Sequence, residues 1–417
     1  MSKKSTQRKV KKLAKKHPVL AVIAVILIVA IVGCFVLHQK GIIHVAFLDN
    51  VFPTEQPQTE QPVEGDGVPT VEYTSTEFSA QAIANIKGSQ LSVHFLELGN
   101  KYTGDCTLIK VGNTEVLIDA GSRQNSASTI NAYLEKYCTD GVLEYVIATH
   151  AHQDHIAGFV GNSNKGVYNG VFYTYEVETL IHFGTQTNLS RYNENDNLTL
   201  YGKYLDAVEH LEDNGTNVYT AIDCWNNANG ASRSYQLSQT VSLNILYQEF
   251  YEEKTSDEND YSVCALLTES ERNYLFTGDL EKDGEASLVA SNTLPKCVLY
   301  KGGHHGSPTS STTELLQAIQ PEIVCVCCCC GSTEYTTNME NVFPSQAFVD
   351  RVAPYTDKVY VTTVISEDGK GFSSMNGNIV VSSNMAGVSV KGSNNDLLFK
   401  DTDWFKAYRT LPSAWKN

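Results

Sequence analysis

Residues Leu143 to Gly158 read LEYVIATHAHQDHIAG, an apolar strand pattern that runs without a turn residue into a cluster of histidines and an aspartate. His150, His152, Asp154 and His155 fall within six residues there. With 11 His among 417 residues, a chance match to H-x-H-x-D-H is roughly four in ten thousand, so the pattern is signal rather than background. A strand that delivers polar side chains at its carboxyl end points to an α/β architecture, where ligands gather at the ends of strands.

The surrounding pattern agrees. LSVHFLEL from Leu91, CTLIKV and TEVLID are strand runs, the last two joined by a Gly112-Asn113 turn signal. Ser128 to Cys138 has Ile130, Leu134 and Tyr137 at helical spacing. Farther along, NYLFTGD, CVLYKGGHH, EIVCVCCCC and KVYVTT are short strands of buried type, and Ser311-x-x-Glu314 is a capping box expected to start a helix. The ends of LEYVIATH, NYLFTGD and CVLYKGG are expected to converge. Residues 161–258 are polar and rich in Asn and Tyr, with one helix near Tyr201 to Leu211; they read either as an insertion shaping substrate access or as plain surface.

Imidazole nitrogens and carboxylate oxygens suit zinc and related divalent ions. His150 and His152 can turn together on a tight loop while Asp154 and His155 serve a neighbouring position, so one loop can start two metal sites. Asp279 ends the buried run Phe276-Thr277-Gly278-Asp279, and His304 and His305 follow the next strand. A divalent ion there would bring bound water toward neutral pKa, with hydroxide as the nucleophile. Asp154 or Asp279 could orient it, and Lys301, Ser307 and Thr309 could contact an anionic substrate oxygen.

Taken in order, FLELGNKYTGDCTLI, VLIDAG, THAHQDHIAG, ENDYSVCALL, LFTGD and KGGHHGSPTSS resemble the metallo-β-lactamase superfamily, and within it the metallohydrolase domain of ComEC/Rec2-type competence proteins. The resemblance runs from about Ser92 to about Val390. It implies an αββα sandwich, with His150 and His152 on a first metal, Asp154 and His155 on a second, and Asp279 bridging. One of His304 and His305 would complete the second site. It also implies that Asp119 and Asp105 support the ligands from behind, and that one or two zinc ions, with manganese as the alternative, are the cofactor. Many members have a further histidine between the metal loop and the bridging aspartate. His182 and His210 are the candidates in that interval.

The chain begins differently. Val19 to Leu37 is 19 residues of almost wholly apolar sequence, enough for about 28 Å of helix, and the eight Lys and Arg of the first 17 residues all precede it. The expected organisation is a basic cytoplasmic tail (1–17), a transmembrane signal-anchor (18–38), a Pro- and Glu-rich linker (39–84), a hydrolase domain (85–395) and a C-terminal extension (396–417). The positive-inside rule puts the domain outside the cell, on a single-pass plasma-membrane anchor. A cleaved secretory signal, or a lipoprotein processed at Cys34, gives the same side.

The whole-chain charge is −16; with eight positive charges and no acid in the first 17 residues, the remainder carries −24. That opposes simple electrostatic capture of a polyanion, although a local basic patch could survive it. No nucleotide-binding Gly-rich loop appears, so no nucleotide cofactor is expected. The five cysteines within Cys325 to Cys330 lack zinc-finger spacing and read as small buried hydrophobes. The functional expectation is a metal-dependent hydrolase of a phosphodiester, DNA or related. The alternatives are a cell-wall phosphorylcholine or teichoic-acid esterase of the same superfamily, and a binding or assembly protein on a hydrolase fold.

Overall fold

Each short apolar run becomes a strand, and the computed structural model, which describes residues 76–162 and 168–416, arranges the strands in two sheets. In chain order they are β1 (Leu91–Phe95), β2 (Thr107–Val111), β3 (Thr114–Ile118), β4 (Val142–Ala148), β5 (Glu176–His182), β6 (Asn217–Thr220), β7 (Ser234–Gln236) and β8 (Val241–Ile245). There follow β9 (Ala265–Glu269), β10 (Arg272–Phe276), β11 (Leu299–Lys301), β12 (Ile323–Cys330), β13 (Val359–Ile365), β14 (Phe372–Ser374), β15 (Ile379–Asn384) and β16 (Gly387–Gly392).

The first sheet has the order β16-β15-β1-β2-β3-β4-β5-β6 and the second β14-β13-β12-β11-β10-β9-β8-β7. Each has an antiparallel part and a parallel part: β3 to β6 run parallel in the first, β10 to β13 in the second. This is a mixed α/β fold with two sheets.

Strand β12 shows how the sheets are clad. Cys325 and Cys327 point into the larger apolar cluster with Leu91, Val93 and Leu117 of the first sheet, whereas Val324, Val326, Cys328 and Cys330 point the other way. That second face packs on helices Lys282–Ser291, Thr313–Ile319 and Gln346–Val352 through Leu288, Leu315, Leu316, Phe348 and Val352. A period of two on a strand buried on both faces explains a run of small apolar side chains. Among the described residues every cysteine is free and buried. Burial pushes the Cys327 and Cys328 thiols well up, which suits packing rather than thiolate chemistry.

Three expectations change. Residues 161–258 are not set apart from the fold, because they supply β5 and β6 to one sheet and β7 and β8 to the other. The helix expected from Ser311 is capped one residue later: Thr312 accepts from Leu315 N, while Ser311 takes a left-handed backbone (φ 57°) and donates its N–H to Glu285. The linker expected to reach residue 84 meets a helix at Ala80–Lys87, whose Ala82 and Ile86 are buried. The tail 1–17, the span 18–38 and residues 39–75 of that linker lie outside the described residues. Among the described residues no helix is long and apolar enough to cross a membrane.

Of the C-terminal extension, residues 396–416 are built into the second apolar cluster through Phe399, Phe405 and Trp415. Phe405→Ala should therefore cost about 3–5 kcal/mol of unfolding free energy by urea titration, as for an aromatic lost from a core. A loss under about 0.5 kcal/mol, usual for a surface site, would show that the segment is only draped on the domain.

Candidate metal centre

The metal loop is held from behind by Asp119, which follows β3 with a left-handed backbone (φ 59°). Its carboxylate accepts from Thr149 N (2.8 Å), Thr149 Oγ1 (2.8 Å) and His155 Nδ1 (2.7 Å). His155 Nδ1 is thereby used, and Nε2 is left to face the site, the usual role of a carboxylate behind a metal-binding histidine. The Asp105 N–H donates to Asp154 O (3.0 Å) and Gly121 N–H to Asp105 O (2.8 Å), so three loops interlock. A Cβ on Gly121 would fall inside the Asp154 carbonyl, so only glycine allows that approach.

The second sheet supplies the opposite wall, because β10 and β11 are adjacent and parallel. Asp279 follows β10 and its Oδ2 is the hub of the site: it lies 3.0 Å from His155 Nε2 and 3.0 Å from His305 Nε2. His304 Nε2 stays at 3.9 Å from that oxygen, and its Nδ1 is engaged by Glu281 Oε1 at 3.0 Å. His305 Nδ1 donates to Cys327 O (2.8 Å), which aims Nε2 inward, 3.4 Å from Asp154 Oδ2. Of the two expected histidines, His305 is thus the one turned into the cluster.

His150 and His152 lie beside it. His150 Nε2 is 3.0 Å from His152 Nδ1, and the His150 ring centre is 4.1 Å from that of His155. His150 Nδ1 sits 3.1 Å from Thr149 Oγ1 and 3.4 Å from Ser262 Oγ.

The electrostatics call for cations. Burial opposes the charged form of every carboxylate here, yet the surrounding imidazoles and Lys301 hold Asp279 well below the usual range, and His305 and His155 do the same for Asp154. Burial likewise works against protonated His155, but Asp279 and Asp119 outweigh it and lift the imidazole to about 10. Burial, reinforced by the nearby Asp105 charge, lifts Asp119 above its ordinary value, although His155 and Thr149 oppose the shift.

The residues fit a divalent metal. Asp105, His155, Asp279 and His305 each offer a ligand atom within 4.8 Å of the others, and the buried His305 Nε2 faces the Asp279 and Asp154 carboxylates without a well-aligned hydrogen bond. Nitrogen and carboxylate donors around such a buried imidazole nitrogen are a suitable set for such an ion.

Two expected roles shift. Asp105, expected behind the ligands, stands among them and is ion-paired with Lys301. Lys301, expected to touch substrate, is 3% exposed; its ammonium is taken up by Asp105, by Gly278 O (3.0 Å) and by Asp279 Oδ1 (3.5 Å). All three donors face the protein, so it acts as a counter-ion within the site. Ser307 is buried and bonded to Thr309 Oγ1 (2.9 Å), while Thr309 is exposed, its hydroxyl 3.4 Å from His304 Nδ1.

His182 and His210 stay outside the cluster. His182 ends β5 beside Phe183 and Tyr204, and His210 lies on helix Leu200–Asp213 against Tyr173.

Two site residues were not singled out in the sequence, although one of them, Glu258, opens the segment ENDYSVCALL. Tyr335 donates its phenol O–H to Asp154 Oδ2 at 2.6 Å across 181 residues of chain. Glu258, 6% exposed, accepts from Asn188 N (2.7 Å) and from the Ala151 N–H between His150 and His152. Tyr335 sits on no periodic pattern and beside no other ligand, so only the folded chain reveals it, and the role of Glu258 within its segment needed the fold as well.

Residues 99–195 match the family model described as the metallo-β-lactamase superfamily. "Recombination protein 2" of Haemophilus influenzae is 32% identical over 72 residues, 17% of this chain and 9% of that protein. "ComE operon protein 3" of Bacillus subtilis is 35% identical over 69 residues, 16% of this chain and 9% of that protein. The matched segments thus span about a tenth of these relatives. The metallo-β-lactamase fold protein YhfI from Bacillus subtilis aligns with a TM-score of 0.34 at 10% identity, over 68% of this chain and 98% of that one. The superfamily and ComEC/Rec2-type resemblance of the sequence is supported.

The surroundings of His182 give a pH test. Burial pushes its imidazole down to about 4, Asp223 opposing. Between an unfolded value near 6.5 and that of the fold, the unfolded chain binds a proton that folded His182 refuses. Its stabilising contribution is complete above about pH 6.5 and is lost as pH falls toward 4. In urea titrations across this window, His182→Phe should flatten the slope of unfolding free energy by up to about 1.4 kcal/mol per pH unit. Equal slopes in both proteins would mean that the folded imidazole titrates normally.

Proposed function

We propose that this chain is a membrane-anchored, extracytoplasmic metal-dependent hydrolase acting on a phosphodiester, with DNA or a related polymer as the substrate class. The observation that carries the metallohydrolase reading is the Asp279 hub: one buried carboxylate oxygen 3.0 Å from each of two imidazole nitrogens, His155 Nε2 and His305 Nε2. The metal ligands in this reading are His150, His152, Asp154, His155, Asp279 and His305. His304 stands at the edge of the site, Asp105 stands among the ligands in an ion pair with Lys301, and Asp119 and Lys301 act from behind.

When bound, one or two divalent ions, zinc or manganese, supply a water nucleophile at neutral pH and charge for the leaving oxygen. The chain's own groups do the rest. Asp119 fixes the His155 tautomer, Cys327 O fixes that of His305, and the Lys301 ammonium neutralises the far side of Asp279. Asp154, 5% exposed, is placed to orient a water or hold its proton. His304 and exposed Thr309 line the side from which a substrate oxygen would approach.

Retention of this full set argues against a binding protein on a disabled hydrolase scaffold. The relative named "Recombination protein 2" makes DNA the substrate to try first. Outward anchoring rests on the basic flank and apolar run of residues 1–38.

The full chain, purified in detergent with zinc or manganese, should hydrolyse bis(p-nitrophenyl) phosphate and stop when chelated. Asp279→Asn should lower kcat/KM by more than the roughly 100-fold common for a supporting residue. Activity that survives both chelation and this substitution would exclude the metal mechanism. With single-stranded DNA, cleavage should weaken steeply as salt rises. Cleavage of teichoic-acid polymer but not of DNA would move the substrate to the cell wall.

A further inference from the structure

Residues 331–345 link β12 to helix Gln346–Val352 and cross the metal centre as a strap. Gly331 N–H donates to Phe343 O (3.1 Å) and closes the strap at its base. Glu334 pins its middle: Oε1 takes Arg123 Nη2 at 2.6 Å and Oε2 takes the Thr103 N–H at 3.0 Å. Arg409, from the C-terminal segment, grips the far end by donating to the carbonyls of Met339 (2.8 Å), Val342 (2.5 Å) and Pro344 (2.9 Å). Phe343 lies over the two-histidine turn, with ring centres 5.6 Å from His304 and 6.1 Å from His305, and packs on Tyr335 at 5.5 Å. The strap is therefore fixed at base, middle and end.

What this fixes is one hydroxyl. Tyr335 follows Glu334 directly, so pinning Glu334 places the phenol, whose O–H reaches Asp154 Oδ2 at 2.6 Å. The same oxygen lies 3.4 Å from His305 Nε2. A carboxylate on the first turn of helix Gln153–Val160 could otherwise rotate about its side-chain torsions. A partner that holds a ligand's second hydrogen-bonding position keeps it in ligating geometry and typically contributes 10–100-fold to metal affinity or activity.

We infer that Tyr335 is a positioning residue for the metal centre: the strap presents its phenol to Asp154, and the hydroxyl holds that carboxylate facing His305 and Asp279. This rests on the metallohydrolase reading above. The hydroxyl acts by donating a hydrogen bond, and Glu334, Arg123 and Arg409 act through the strap that carries it.

The experiment is a zinc titration of the full-length protein in detergent against a chromophoric chelator, with thermal unfolding of each metal-free variant alongside. Tyr335→Phe keeps the ring on Phe343 and removes only the hydroxyl. It should raise the zinc Kd by about 10–100-fold while leaving the metal-free melting temperature unchanged. Glu334→Gln, which never touches Asp154, should shift the Kd in the same direction by less. Tyr335→Phe binding zinc within twofold of wild type would overturn the inference, as would a loss that appears in Tyr335→Ala and not in Tyr335→Phe. If Tyr335→Phe does not fold, an unchanged Kd in Glu334→Gln overturns it alone. Wild-type protein that binds no zinc or manganese would instead remove the reading on which the inference rests.

Discussion

The carboxylate of Asp279 is the interaction around which the rest of the structure is arranged. An ionised carboxylate 1% exposed costs several kcal/mol unless its oxygens are answered by charge or hydrogen bonds. Here the two oxygens are answered differently. Oδ1 faces the Lys301 ammonium at 3.5 Å, while Oδ2 faces His155 and His305 at 3.0 Å each. One side is neutralised by the protein, and the other is left for imidazoles and, in the proposed reading, a metal. The division depends on β10 and β11 lying side by side, with Tyr274 opposite Leu299 and Leu275 opposite Tyr300. A one-residue slip would turn Lys301 to the other face and leave the carboxylate without its counter-ion.

Part of the backbone strain lies at the same place. Asp119, His304 and His305 take left-handed backbones with φ of 59°, 43° and 55°. Non-glycine residues adopt that region at a cost of roughly 1–2 kcal/mol each, and it persists where surrounding contacts over-determine it. Each has such contacts: Asp119 through three hydrogen bonds to the metal loop, His304 through Glu281, His305 through Cys327 O. The left-handed pair lets consecutive histidines point to different neighbours, His305 into the cluster and His304 to its edge. A regular strand or helix continuing through Gly303 would not separate them in this way.

The legible part of this protein was the part in which chemistry and periodicity coincide in a short segment. THAHQDHIAG places four polar groups on a strand end, and LFTGD and KGGHHGS repeat the device, so convergence of these ends could be inferred without coordinates. The strand runs around them became β1 to β4 and β10 to β13 because each is a short apolar stretch bounded by turn residues. Residues 161–258 were harder. Two of their strands, Asn217–Thr220 and Ser234–Gln236, are short, partly exposed and at the sheet edges, so polar composition hid their membership of the sheets. Lys301 misled for another reason: a strand-end lysine looks solvent-facing until the two buried aspartates that claim it are known. Choosing between His304 and His305 required the turn geometry, which two identical neighbouring letters do not encode.

The C-terminal segment shows how far a local reading can fall short of the physical connection. From the sequence, residues 396–417 are an extension beyond the last family-like strand. In the fold, Phe399, Phe405 and Trp415 bury themselves on the helical face of the second sheet, and that anchorage brings Arg409 to three carbonyls of the strap. The strap in turn carries Tyr335 to Asp154 and Glu334 to Arg123. A guanidinium has five donors in a rigid fork, so it can hold several carbonyls at once; a lysine at this position would offer one mobile point charge. Apolar burial at the end of the chain thus becomes a geometric constraint on a carboxylate near its middle. The constraint runs through packed side chains and hydrogen bonds in a part of the chain that shows no catalytic motif of its own.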